Sequence, residues 1–254
     1  MVGTGWSRVP DRFDAAALAL GGVTLGAVTG SHDPVLSLDA QARLVGSYQW
    51  VERRLFEVLG SWVASEPVPE AQVLFDAYSQ QHAWHAELFA DRLPALDSVD
   101  PDTLVIPPSA EVDRMLNVLS GVVPDSEHGA PDGSLLGREG SGPPAGGTLP
   151  RLVGIGRVVL SRLVTGYSLH LRRVSTVADA PMARCLRLVL RDEIDQWQAL
   201  EALTQALLRR PHDVAVVTGH QQRLEAMIAG AGAGLVPWPE GPDTSWRPPE
   251  ATPA

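Results

Sequence analysis

The stretch Gln80–Pro94 reads QQHAWHAELFADRLP. His82 and His85 are three residues apart, so on a helix they share a face. The recurrence of Leu74 or Phe75, Tyr78, His82, His85, Phe89 and Leu93 predicts a helix over residues 69–93. Pro69 suits its first turn and Pro94 stops it. Both imidazoles therefore fall on the apolar stripe. Two imidazoles converging there can bind a metal, although the spacing is less specific than the longer H-E-x-x-H motif. The plainer alternative is that one histidine holds a core hydrogen-bond network and the other faces a loop.

Working outward, the same periodicity predicts a helix over 37–64, capped by Ser37 with Asp39 in its first turn. Its stripe is Leu38, Ala42, Val45, Gln49, Glu52, Phe56, Leu59 and Val63, so an acid sits among apolar residues. A third long helix is expected over 150–178. A fourth, over 181–209, follows the break Asp179-Ala180-Pro181, which makes these two antiparallel neighbours. On the fourth, Met182, Leu186, Val189, Glu193, Gln196, Leu200, Leu203 and Leu207 form one stripe. Of the acids Asp192, Glu193 and Asp195, only Glu193 can lie at its centre. A fifth helix is expected over 212–229.

Between the second and third helices lies a long connection with one short amphipathic segment, 110–122. From 123 to 148 it is rich in Gly, Pro, Ser and acid (GSGPPAGG is the extreme), which predicts a flexible crossover loop. A bundle that joins its second helix to its third by such a crossover accommodates it. The expected organisation is an N-terminal arm over 1–36, a helical domain over 37–230 and a disordered tail over 231–254. The apolar run 15–28 is read as part of the arm, not a signal peptide, because Asp14 directly precedes it and no Ala-x-Ala site follows.

The chain has 254 residues, 44% of them hydrophobic, a net charge of −10 and a pI near 5.1. That charge argues against nucleic acid or an anionic membrane as partner. No run of eighteen uninterrupted apolar residues predicts a membrane-spanning helix. All 20 basic residues are Arg, and Asn117 is the one Asn, a high-GC bias of actinobacterial type. The single Cys185 excludes an internal disulfide framework and fits a cytoplasmic location. No Gly-rich phosphate loop or Gly-x-Ser-x-Gly occurs, and Cys185 has no local His partner, so nucleophilic catalysis is unsupported.

Glu52, HAWHAELFADRLP in the second helix, the long crossover and DEIDQWQALEAL in the fourth together resemble the ferritin-like superfamily over about residues 37–209. The resemblance implies an all-α, up-down four-helix bundle with a long crossover between helices 2 and 3, to which the fifth helix is added. It also implies carboxylate-bridged metal chemistry. Glu52 resembles the helix-one ligand, His85 the family histidine and Glu193 a bridging glutamate. His82 stands where a glutamate would be, and Gln196 where a histidine would be. The helix-three glutamate is missing: no acid occurs from Leu149 to Val177, and Tyr167 or His170 faces that depth instead.

Two functions follow as expectations. One is a metal-dependent oxidoreductase or oxygenase with a reduced, mononuclear site. Glu52, His85 and Glu193 bind iron or manganese there, His82 is a further ligand or proton-transfer group, and His170 and Gln196 are outlying members. The other is a non-catalytic ferritin-like scaffold or partner-binding protein, without metal, whose polar core serves specificity. Buried acids are often simply paired, and an Arg such as Arg162 or Arg173 is the alternative partner for Glu52. A homodimer through helix faces is the expected assembly.

Overall fold

A computed structural model describes residues 36–94, 100–121, 147–175, 177–230 and 234–236. Among these there is no strand, and six helices hold most of the described residues. The expected arm, nearly all of the crossover loop 123–148, and the tail apart from residues 234–236 lie outside the described residues. Within those three, Leu235 is buried in the core.

Helix α1 spans Leu38–Val63 and opens on Ser37, whose hydroxyl accepts from the Ala40 N–H at 3.2 Å. Helix α2 spans Pro69–Ala90, with proline at its first position. The two run antiparallel, and three contacts record the register. Gln72 donates to the Val63 carbonyl at 2.7 Å, Ser79 donates to the Phe56 carbonyl at 2.9 Å, and His82 meets Glu52. Helix α3, Ala110–Ser120, is the amphipathic segment expected in the crossover. Ser109 caps it, and it ends at Gly121 with φ +85°.

Helix α4 spans Thr148–Arg173 and widens to π geometry over Gly154–Leu160. It begins at Thr148 rather than Pro150, and stops before the expected end because Val174 turns extended. Helix α5, Ala180–Leu207, is capped by Asp179, whose carboxylate accepts from the Met182 N–H. Helix α6 spans Pro211–Ala229. By length and composition α4 is apolar enough to cross a membrane, an 18-residue window within it having a mean hydropathy of 1.3. Here its Leu152, Ile155, Val159 and Leu163 are buried in the core shared with α1 and α5.

Polar contacts fix where the helices begin. Arg151, in the first turn of α4, pairs with Glu66 at 3.0 Å, just past the end of α1, and its guanidinium lies 5.4 Å from the centre of the Trp62 ring. Thr148 donates to the same carboxylate at 2.5 Å. So α4 starts at the end of the molecule where α1 finishes and α2 begins. The chain between α2 and α4 must therefore travel back along the full length of that helix pair. At the opposite end, Gln41 of α1 donates to Asp179 ahead of α5.

Two residues of the expected α1 stripe are exposed, and one of them, Leu38 in the first turn, is 57% exposed. Phe56 is 42% exposed. The buried arc of α1 is centred on Tyr48, Leu55, Leu59 and Trp62, so Glu52 lies at its edge. Phe56, one turn further, has rotated past that edge.

Gly46 is fixed by close packing, since a Cβ there would clash with the Leu104 carbonyl. Gly219, in exposed α6, would meet nothing within 4 Å. Two alanine substitutions should therefore have opposite signs in urea unfolding. Gly46→Ala loses about 1–3 kcal/mol through overpacking. Gly219→Ala gains about 0.4–1 kcal/mol by restricting the unfolded chain. Equal effects would refute the packing described here.

Candidate metal centre

Three helices aim four ionisable side chains at one point. α1 supplies Glu52, α2 supplies His82 and His85 from adjacent turns, and α5 supplies Glu193. All four are completely buried, and one ligand atom from each lies within 4.8 Å of all the others. His82 Nδ1 is 2.5 Å from Glu52 Oε2 and 3.5 Å from Glu193 Oε1. His85 Nδ1 is 3.5 Å from Glu52 Oε2 and 3.3 Å from Glu193 Oε1. The three longer separations match neighbouring ligands about an ion with bonds of about 2.1 Å. The shortest is that of a hydrogen bond.

Outer partners orient this set. The Tyr167 hydroxyl, from α4, donates to Glu52 Oε1. The far nitrogen of His85, Nε2, lies 3.2 Å from Asp192 Oδ2. A carboxylate on the outer nitrogen fixes an imidazole's tautomer and leaves the inner nitrogen free to ligate. The side chain of Asp192 is 28% exposed, so this arm runs from the buried cluster to the surface.

The cluster is not satisfied by its own members. Neither oxygen of Glu193 accepts a hydrogen bond from any described residue, and His82 Nε2 and His85 Nδ1 also lack partners. The Glu193 contacts to histidine are within ion-pair reach but lack hydrogen-bond geometry. A buried carboxylate without donors costs several kcal/mol unless it is neutralised. Glu52 by itself would suit a metal-free network, since His82 and Tyr167 occupy its two oxygens. Glu193 would not. A divalent cation answers both needs, because two carboxylates and two neutral imidazoles leave its complex uncharged.

The electrostatics follow. Burial alone would raise Glu52, but the His82 charge and hydrogen bond, with the charge of His85, outweigh it and hold its pKa at about 2. Burial disfavours a charged His85, yet the carboxylates of Glu193 and Glu52 push it up to about 11. Burial and the neighbouring Glu52 charge raise Glu193. Burial, then the Glu52 and Glu193 charges, raise Tyr167, which stays a protonated donor.

The outlying candidates sit apart from this group. His170 is buried against Tyr48, with ring centres 5.6 Å apart. Burial pushes its pKa down to about 4, so it is neutral. Gln196 is buried, but its amide donates to Gln81 at 3.1 Å, bridging α5 to α2. Arg162 and Arg173 are not what meets Glu52; histidine and tyrosine are. Sequence periodicity missed Asp192, which reads as part of a solvated charge run. Its position directly before Glu193 was the available signal. Trp84, whose ring lies 5.8 Å from that of His85, is 44% exposed.

Compared with known protein families, curated proteins and solved structures, the chain matches none.

These charges set a pH dependence for metal-free protein. Protonated His85 contributes stability fully below its ordinary 6.5, and the contribution is lost as pH rises toward 11. Ionised Glu52 contributes fully above its ordinary 4.5, and the contribution is lost as pH falls toward 2. The raised Glu193 pKa acts in the same sense as His85, because ionising it above 4.5 is unfavourable. Urea midpoints in excess chelator should therefore peak between about pH 4.5 and 6.5 and fall on the alkaline side. Metal affinity should rise with pH, since the ion displaces protons. A flat profile from pH 6.5 to 9 would sink this charge assignment.

Proposed function

We propose that this chain is a ferritin-like helical protein holding one iron or manganese ion on Glu52, His82, His85 and Glu193, and that it acts as a metal-dependent oxidoreductase or oxygenase. The observation that carries the reading is the convergence of four buried ligand atoms within 4.8 Å, one of them on a carboxylate with no donor of its own. The placement of α4 supports the ferritin-like arrangement. It starts at the same end as α2, which requires the long crossover.

The donor set fits the metals named. Carboxylate oxygen and imidazole nitrogen suit manganese and iron, and two histidines with a carboxylate form the usual protein half of a non-haem iron site. Such an ion would supply reversible one-electron chemistry. The chain's own part is to hold it in a dry, uncharged space and to move protons along the His85–Asp192 arm. Complete burial of the four side chains keeps the centre away from bulk water. A groove of about 560 Å³ between α2 and α5 is lined by residues that include Leu88, Arg92, Arg184, Cys185 and Leu188, and by none of the four cluster residues.

A metal-free polar core is the competing reading, and the satisfied Glu52 favours it. The donor-free Glu193 favours the ion.

Elemental analysis of protein purified without chelator should find close to one iron or manganese per chain. Glu193→Gln and His85→Ala should lose it. Added Mn(II) at 100 times its Kd should stabilise the wild type by about 2.7 kcal/mol and leave both variants unmoved. Metal-free wild type whose unfolding ignores added Fe(II) and Mn(II) would overturn the proposal in favour of the scaffold.

A further inference from the structure

Helix α4 carries no acid anywhere along its length, yet it reaches the centre through one side chain. Tyr167 is completely buried, and its hydroxyl donates to Glu52 Oε1. The phenol is held on two sides. Its ring meets Tyr48 edge-on, with centres 4.8 Å apart and planes at 89°. Phe89 covers it at 5.5 Å. The Tyr48 hydroxyl has no hydrogen-bond partner among the described residues, so it does not compete for the carboxylate. The other oxygen, Oε2, is the one that faces His82 and His85. The two oxygens of Glu52 are therefore divided between helices. One belongs to the α4 phenol and the other to the ligand cluster.

A carboxylate free to rotate offers a cation either one oxygen or two. A donor locked on one oxygen removes that choice and fixes the carboxylate plane. We propose that Tyr167 is the positioning residue of this centre: by holding Oε1 it presents Glu52 to the ion through Oε2 alone. The inference rests on the metal reading of the same site. It gives α4 a defined part: a neutral donor where a fourth helix could have supplied charge. The coordination number is thereby kept low, and the site's negative charge stays at two carboxylates.

Tyr167→Phe tests this, because it keeps the ring and its packing and removes only the donor. The Kd for Mn(II) should weaken about 10- to 100-fold, the usual result of losing an outer partner of a ligand. Co(II) serves as a spectroscopic probe, since its visible bands are strong at low coordination number and weak at high. In the variant they should lose intensity as Glu52 swings to two-oxygen ligation. A purely structural role would lower the melting temperature without changing either reading. An unchanged Kd with an unchanged Co(II) spectrum therefore overturns the proposal, whatever the stability. Should the variant fail to fold, infrared difference spectra of the wild type decide. Single-oxygen ligation gives a wide splitting between the asymmetric and symmetric carboxylate stretches. Narrow splittings for both ligand carboxylates would overturn the proposal. Failure of the metal reading itself is distinguishable, because the wild type would then take up neither Mn(II) nor Co(II).

Discussion

Two carboxylates share a space from which water is excluded, and the rest of the molecule is arranged around that fact. Glu52 and Glu193 come from helices far apart in sequence, and each is completely buried. Their mutual repulsion in a weakly polar interior would drive the helices apart or force protons onto them. Two histidines from a single face of α2 stand between them. His82 takes up Glu52 directly at 2.5 Å, and His85 lies between 3.3 and 3.5 Å from both acids. Helix α2 is thus the partner that lets α1 and α5 bring like charges together.

This convergence depends on register, and register is set away from the centre. At one end Arg151 and Glu66 tie the start of α4 to the turn after α1. Along the seam of α4 and α5, Arg157 grips Glu201 through two hydrogen bonds of 2.8 Å. At the other end Gln41 reaches Asp179. Each of these contacts lies several turns from the ligands. Together they stop the long helices from sliding by a turn, which would carry Glu193 or Tyr167 out of reach. The apolar core supplies the driving force for packing, but it tolerates sliding better than directional contacts do.

The inward placement of the four cluster residues was legible in the sequence because helical phase is a local property. Glu52, His82, His85 and Glu193 each interrupt an otherwise apolar stripe, and counting threes and fours is enough to find them. That Glu193 rather than Asp192 or Asp195 points inward also follows from phase alone. What phase does not encode is which side chains from different helices touch. Asp192 reads as a solvated acid, yet its carboxylate reaches the outer nitrogen of His85. Tyr167 and His170 read as alternatives at the same depth, and phase does not choose between them, because the Tyr167 bond to Glu52 spans 115 positions of chain. Phe56 was misplaced for a finer reason. The stripe of α1 was drawn through Glu52, whereas the buried arc is centred nearer Leu55, so an error of one helical step expelled a phenylalanine into solvent. The π segment of α4 had only Gly154 and Gly156 as sequence signal, and glycine pairs have many other uses.

The charge balance of the centre connects its two conceivable states. Without an ion, the raised pKa of His85 means that the cluster holds a proton that an isolated imidazole would have released at neutral pH, and this proton offsets one of the two carboxylates. The upward shift of Glu193 works in the same direction. A divalent ion would balance both carboxylates with the imidazoles neutral, so its binding would exchange the ion for the proton on His85. A buried site can make that exchange without facing the large penalty of an isolated charge in a dry interior. The proton needs a path, and Asp192 offers one, since it is hydrogen-bonded to His85 and itself partly exposed. The contact that orients the His85 ring therefore also gives a proton on that ring a way out. This is why the acid that looks like an ordinary surface residue belongs to the centre as much as the buried one beside it.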